Sequence, residues 1–221
     1  MEKGISVFAD NWNALGWAGV AILLWFAWRS GDLARLKDGA RLNLFLGVSV
    51  ALMVMWQIRT GVKPGLSFHL LGASIAALMF GFWRGWLAAS LAALAAALTG
   101  KASLAGLGLE SLLFCAVPAA VTHHLYRFVD RRLPNHFFIY VLANGFFGAA
   151  LAIGAAALAA TAALALSGAY APSYLLENYT PYFILLAWSE ALTTGMGATL
   201  MAVYRPEWLE SFDDDRYIKN K

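Results

Sequence analysis

Three titratable side chains sit where apolar sequence surrounds them, and together they have the chemistry to hold a metal cation. His69 lies alone in the run from Leu66 to Gly81, Glu110 opens a later apolar stretch, and Glu190 falls well inside the last one. Neutral imidazole suits cobalt, nickel, copper and zinc, and carboxylates add hard oxygen donors. Ionisable groups in apolar spans are costly to bury, so each is a functional candidate. A structural alternative stands beside each: His69 hydrogen-bonded to a neighbouring helix, and Glu190 fixing packing, with Asn144 as a partner. Met53, Met55, Met79, Met196 and Met201 are scattered and read as core packing rather than a soft copper(I) site. His123 and His124 are neighbours on one helix, point in different directions and read as headgroup-level residues.

The elements that position these groups are membrane helices. Hydrophobic residues make up 61% of the 221 positions and charged residues 13%, the composition of a polytopic membrane protein. Apolar runs near the length needed to cross about 30 Å of hydrocarbon predict an all-α bundle of about seven transmembrane helices. They cover residues 12–28, 42–58, 66–83, 86–98, 109–126, a long stretch within 137–166, and 181–204. A turn around Gly81-Phe-Trp-Arg-Gly85 separates the third from the fourth. The sixth exceeds one crossing and is expected to tilt or break near Gly145, Gly148 or Gly154.

The sixteen lysines and arginines divide twelve to four if the N-terminus lies outside, with Lys3, Arg59, Lys63 and Lys101 as the outer four. That bias predicts an external N-terminus and a cytoplasmic C-terminus. Residues 1–204 then form a single transmembrane domain, and 205–221 a solvated cytoplasmic tail carrying Asp213-Asp214-Asp215. Met1 to Asn13 lacks the basic start and apolar core of an export signal. Cys115 is the sole cysteine and reads as packing. Ala88, Ala92 and Ala96, and likewise Gly148, Ala152, Ala156 and Ala160, form small-residue ridges that suit close packing within the bundle or docking of a membrane partner. No segment is long and polar enough for a soluble domain, so any ATP hydrolysis belongs to another chain, and the charge pattern carries no nucleic-acid footprint.

Pro64-Gly-Leu-Ser-Phe-His69, the helix ending Phe80-Gly-Phe-Trp-Arg-Gly85, the alanine-rich helix after it, and Gly100-Lys-Ala-Ser-Leu-Ala-Gly-Leu-Gly-Leu-Glu110 resemble the substrate-capture membrane subunit of cobalt and nickel energy-coupling-factor transporters, the CbiM/NikM family. The resemblance is sharpest over 61–133. It implies a metal held near the outer face by the chain's N-terminal amine, here Met1, by a second-residue histidine, and by the histidine that matches His69. This chain departs from that pattern, since Glu2 stands where the second-residue histidine belongs and Leu109-Glu110 replaces an Ala-Asn pair. Lost imidazole nitrogen weakens a square-planar preference, and the carboxylates harden the site.

The reading that follows is a capture or uptake subunit for a transition metal, cobalt- or nickel-like or copper, and not an enzyme. Met1, Glu2, His69 and Glu110 are the candidate ligands, and Glu190 lines the path. The metal is substrate, with no cofactor tightly bound. The implied partners are lipid, a transmembrane coupling protein and a cytoplasmic ATPase, in a bacterial inner membrane. The alternative is a family member that no longer transports and serves as an accessory or assembly subunit of a larger membrane complex.

Overall fold

Apolar runs become helices because a backbone without water nearby must satisfy its own hydrogen bonds. The structure, a computed structural model, describes residues 6–63 and 65–219. In chain order it contains α1 (Asp10–Arg29), α2 (Gly39–Trp56), a hairpin of β1 (Thr60–Lys63) and β2 (Leu66–Phe68), and α3 (Ala73–Leu98). There follow α4 (Leu107–Arg132), α5 (Phe137–Leu166), α6 (Pro172–Asn178) and α7 (Tyr182–Tyr204). Of these, α3, α4, α5 and α7 are long and apolar enough to cross a membrane.

The expected turn after the third apolar run is present at Gly81, whose φ of 77° and ψ of −176° break α3. The chain doubles back there. A Cβ on Gly85 would meet the Cα and N of Ala77 at 2.7 Å, so the second half of α3 packs directly on the first. The long sixth run forms α5 and contains an i→i+5 segment, Tyr140–Phe147, around Gly145.

The third run begins differently from the expected helix. Residues 66–68 pair with β1, Thr60 opposite Phe68, and helix starts only at Ala73. The physical reason is local: Gly72 takes φ 63°, and the N–H groups of Leu71 and Gly72 are claimed by the Glu190 side chain. His69 therefore lies on an irregular segment leading into α3, not on a helix.

The small-residue ridges are interior. Ala88, Ala92, Ala96, Ala152 and Ala156 are all fully buried within the chain, so a partner subunit has no access to them. Alanine lets the helices come together closely and leaves larger side chains for the lipid-facing surface.

Residues 205–217 are not the solvated tail expected of so acidic a segment. The break at Gly81 frees the carbonyls of Met79 and Leu78, which accept from Glu210 N at 3.1 Å and Ser211 N at 3.2 Å. Ser211 Oγ also donates to Leu78 O and meets the Tyr140 hydroxyl at 2.7 Å. Beside it, buried Arg84 makes paired bonds to Asp32, 2.9 and 3.1 Å, and to Glu210, 2.8 and 2.7 Å. Arg35 and Arg41 reach Glu210 from the loop after α1 and the start of α2. Freed carbonyls and a buried guanidinium need partners, and this segment supplies them.

Candidate metal centre

Arg59 follows α2, His69 follows β2, and Glu110 sits in the first turn of α4. The β-hairpin returns the chain by about its own length, which brings His69 back beside Arg59. Glu110 is delivered by the contact of α4 with α1. A Cβ on Gly108 would lie 2.5 Å from Trp17 N and 2.6 Å from Gly16 C, an approach open only to glycine.

The three side chains meet at one atom. Arg59 Nη2 lies 3.0 Å from His69 Nε2 and 2.9 Å from Glu110 Oε1. Arg59 Nη1 also donates to Lys101 O at 3.3 Å. The centre is nearly dry: His69 is 6% exposed, and the Arg59 and Glu110 side chains 7% and 15%.

A guanidinium can only donate, so Nε2 of His69 accepts and the ring is the neutral tautomer with its proton on Nδ1. That proton points to Leu70 O at 3.1 Å. Burial first, and the Arg59 charge second, push the imidazole down to about 3, so it stays neutral at physiological pH. Its ring packs against Trp56 at 4.2 Å between centroids, and the Trp56 indole N–H donates to Leu71 O. The imidazole is thus held by its ring face, its Nδ1 and its backbone. A neutral imidazole nitrogen and a carboxylate oxygen face one point, and that point already holds a positive charge.

Glu190 is elsewhere. Its two carboxylate oxygens accept from Gly72 N at 2.7 Å and Leu71 N at 2.9 Å. It thus caps the N-terminus of α3, where the helix dipole favours a negative charge. The expected partner Asn144 does not reach it: both polar atoms of that side chain are buried without a hydrogen-bond partner among the described residues. Met1 and Glu2 lie outside the described residues. Among those described, no group of three or more His, Cys, Asp or Glu side chains is arranged to hold a metal ion.

Sequence reading placed Arg59 only as the outer end of a span and missed it as a member of this centre. The available signal was an arginine ten residues before the histidine with a Gly/Pro turn between them, a spacing that a hairpin folds into contact. The Asp32, Arg84 and Glu210 cluster was also missed, although Arg84 stood next to the glycines of the predicted turn.

The family described as the cobalt uptake substrate-specific transmembrane region matches residues 6–208. The chain belongs to this family. Membership makes it a membrane protein of metal uptake and a transport protein rather than an enzyme. Two solved structures share the fold. One, a truncated transition metal transporter, is 19% identical, with a TM-score of 0.80 over 92% of this chain and 99% of its own. The other, a transition metal transporter, is also 19% identical, with a TM-score of 0.78 over 92% of this chain and 93% of its own. No curated protein matches the sequence. The family's membrane scaffold is therefore present across nearly the whole chain.

Proposed function

We propose that this cobalt-uptake family member captures a divalent transition-metal ion at His69 and Glu110 by exchange with the Arg59 guanidinium. The observation that carries the reading is the convergence of a neutral imidazole nitrogen and a carboxylate oxygen on one cationic atom, each about 3 Å from it. Metal–nitrogen and metal–oxygen bonds run to about 2.0–2.2 Å, so the two donors close on the ion once the larger guanidinium swings away. Two protein ligands leave positions open, and the terminal amine of Met1 and the Glu2 carboxylate are the proposed further donors. The nitrogen and oxygen set suits cobalt(II) or nickel(II), with copper(II) also accommodated. Glu190 acts indirectly by fixing the backbone that carries His69.

In this reading the chain crosses a bacterial inner membrane seven times, with the centre at the outer face and the Arg84 cluster at the cytoplasmic face. A separate coupling protein and ATPase supply energy. Because the alanine ridges are occupied inside the bundle, the coupling protein docks on the outward faces of the helices.

The filled centre also favours a second reading, in which Arg59 has permanently replaced the metal and the chain is an accessory subunit of a larger membrane complex. Metal content by inductively coupled plasma mass spectrometry separates the two. The samples are the wild type, His69→Ala and Arg59→Met after exposure to cobalt, nickel, copper and zinc. Capture by exchange predicts near-stoichiometric metal in the wild type, none in His69→Ala, and tighter retention in Arg59→Met. Metal in Arg59→Met alone, or in none of the three, sinks capture and leaves the accessory role.

A further inference from the structure

The last two turns of α4 carry a concentration of positive charge that the candidate metal centre does not use. His124, Arg127, Arg131 and Arg132 are all exposed and, with Phe128, line one open groove of about 380 Å³. Their spacing of three, four, seven and eight residues from His124 puts them on one face of the helix. Among the described residues, none of these three arginines forms an ion pair. The nearest acid on the same helix, Asp130, is already engaged by Arg216 at 3.0 Å and by the Tyr217 hydroxyl at 3.0 Å. The docked C-terminal segment thus neutralises the carboxylate of α4 nearest the groove.

Helix length and charge together indicate the depth of this groove. The 26 residues of α4 span about 39 Å at 1.5 Å per residue, roughly 9 Å more than the hydrocarbon core. The excess is about six residues, and the charged stretch 127–132 is the end of α4 that hydrocarbon excludes, which puts it at the level of lipid headgroups. Phe128 is 59% exposed in the middle of the cluster. An apolar ring between arginines suits a surface that is charged at its rim and oily just below it, where a purely aqueous partner gains little from it.

We propose that the groove formed by His124, Arg127, Phe128, Arg131 and Arg132 binds the phosphate of an anionic phospholipid headgroup in the leaflet at this end of the bundle, with Phe128 against its acyl chains. Guanidinium forks match phosphate oxygens in pairs. The lipid pins the end of α4 at a fixed depth, next to the docked segment that closes on Asp130.

Native mass spectrometry of the full chain, purified in neutral detergent and offered phosphatidylglycerol, phosphatidylcholine or inorganic phosphate, tests this. The wild type retains phosphatidylglycerol at least tenfold better than phosphatidylcholine. At roughly fivefold per arginine near a charged surface, Arg127→Gln/Arg131→Gln/Arg132→Gln weakens that retention on the order of a hundredfold. Lys37→Gln, an exposed cation at the same end that does not line the groove, leaves it unchanged. The substituted side chains are exposed, and a monodisperse chromatographic profile confirms that the triple variant folds; if it does not, Arg131→Gln alone still lowers retention about fivefold. Equal retention of the two lipids, undiminished retention in the variants, or displacement of lipid by inorganic phosphate or a soluble acidic peptide overturns the proposal.

Discussion

At the scale of single residues, the proposed capture sets two cations in competition for the same donors. Arg59 gains a carboxylate, an imidazole nitrogen and a carbonyl, but its buried Nε has no partner among the described residues. An unmet buried donor costs about 1–3 kcal/mol, which weakens the hold of the arginine and makes exchange for an ion feasible. The neutral imidazole makes a separate prediction. Its folded value lies far below that of a free histidine, so the folded chain binds fewer protons than the unfolded one on acidification. The contribution of His69 to stability is undiminished above about pH 6.5 and falls progressively below it, by up to about 1.4 kcal/mol per pH unit. Thermal unfolding in detergent from pH 7.5 to 5 shows the His69 contribution as the difference in slope between the wild type and His69→Gln. Parallel slopes would show that His69 takes up its proton without cost.

At the scale of elements, α3 does work that a continuous span does not. Its N-terminus begins inside the bundle, sealed by Glu190, and its middle reverses at Gly81. Glu190→Gln keeps the shape but offers a single acceptor to two N–H groups, leaving an amide N–H facing a backbone N–H. Bonds to charged groups are worth about 1.5–3 kcal/mol, so the variant melts earlier by that amount. It also loosens His69, three residues from Gly72, and lowers metal retention if capture occurs there. Gly85→Ala pushes a methyl into the Ala77 backbone and costs about 1–3 kcal/mol as the two halves of α3 separate. Scanning fluorimetry of both variants checks these values; a Gly85→Ala midpoint equal to wild type would mean that the halves do not pack as closely as described.

At the scale of the whole molecule, one ion cluster ties three distant segments. Arg84 is 1% exposed, and its partners Asp32 and Glu210 lie 52 and 126 residues away. Removing one partner from a buried charge costs about 3–5 kcal/mol, whereas exposed pairs such as Arg205 with Glu207 are worth about 0–1. Ending the chain after Tyr204 removes Glu210, the Ser211 bonds to α3 and the partner of Asp130 together. The expected outcome is a loss of at least that size in unfolding free energy, with Arg205→Gln close to neutral. A truncated chain as stable as the full one would show that the last segment is an ornament of the fold. Because the cluster lies at the reversal in the middle of α3 and the candidate metal centre beside its N-terminus, the truncation also reports whether they communicate, through metal retention at fixed stability.

Local pattern determined the elements. Apolar runs and glycines set α1, α2, α4, α5 and α7, the reversal at Gly81 and the irregular turn around Gly145, since each needs only neighbouring residues to state its preference. The histidine and the first carboxylate of the candidate centre were legible for the same reason, as polar residues in apolar surroundings. What surrounds them was decided by tertiary structure. Arg59 meets Glu110 across 51 residues, Glu190 holds Leu71 across 119, and Glu210 meets Arg84 across 126. No periodicity connects such positions. They are paired because burying a charge or an open carbonyl is costly, and only the assembled bundle determines which complementary group is within reach.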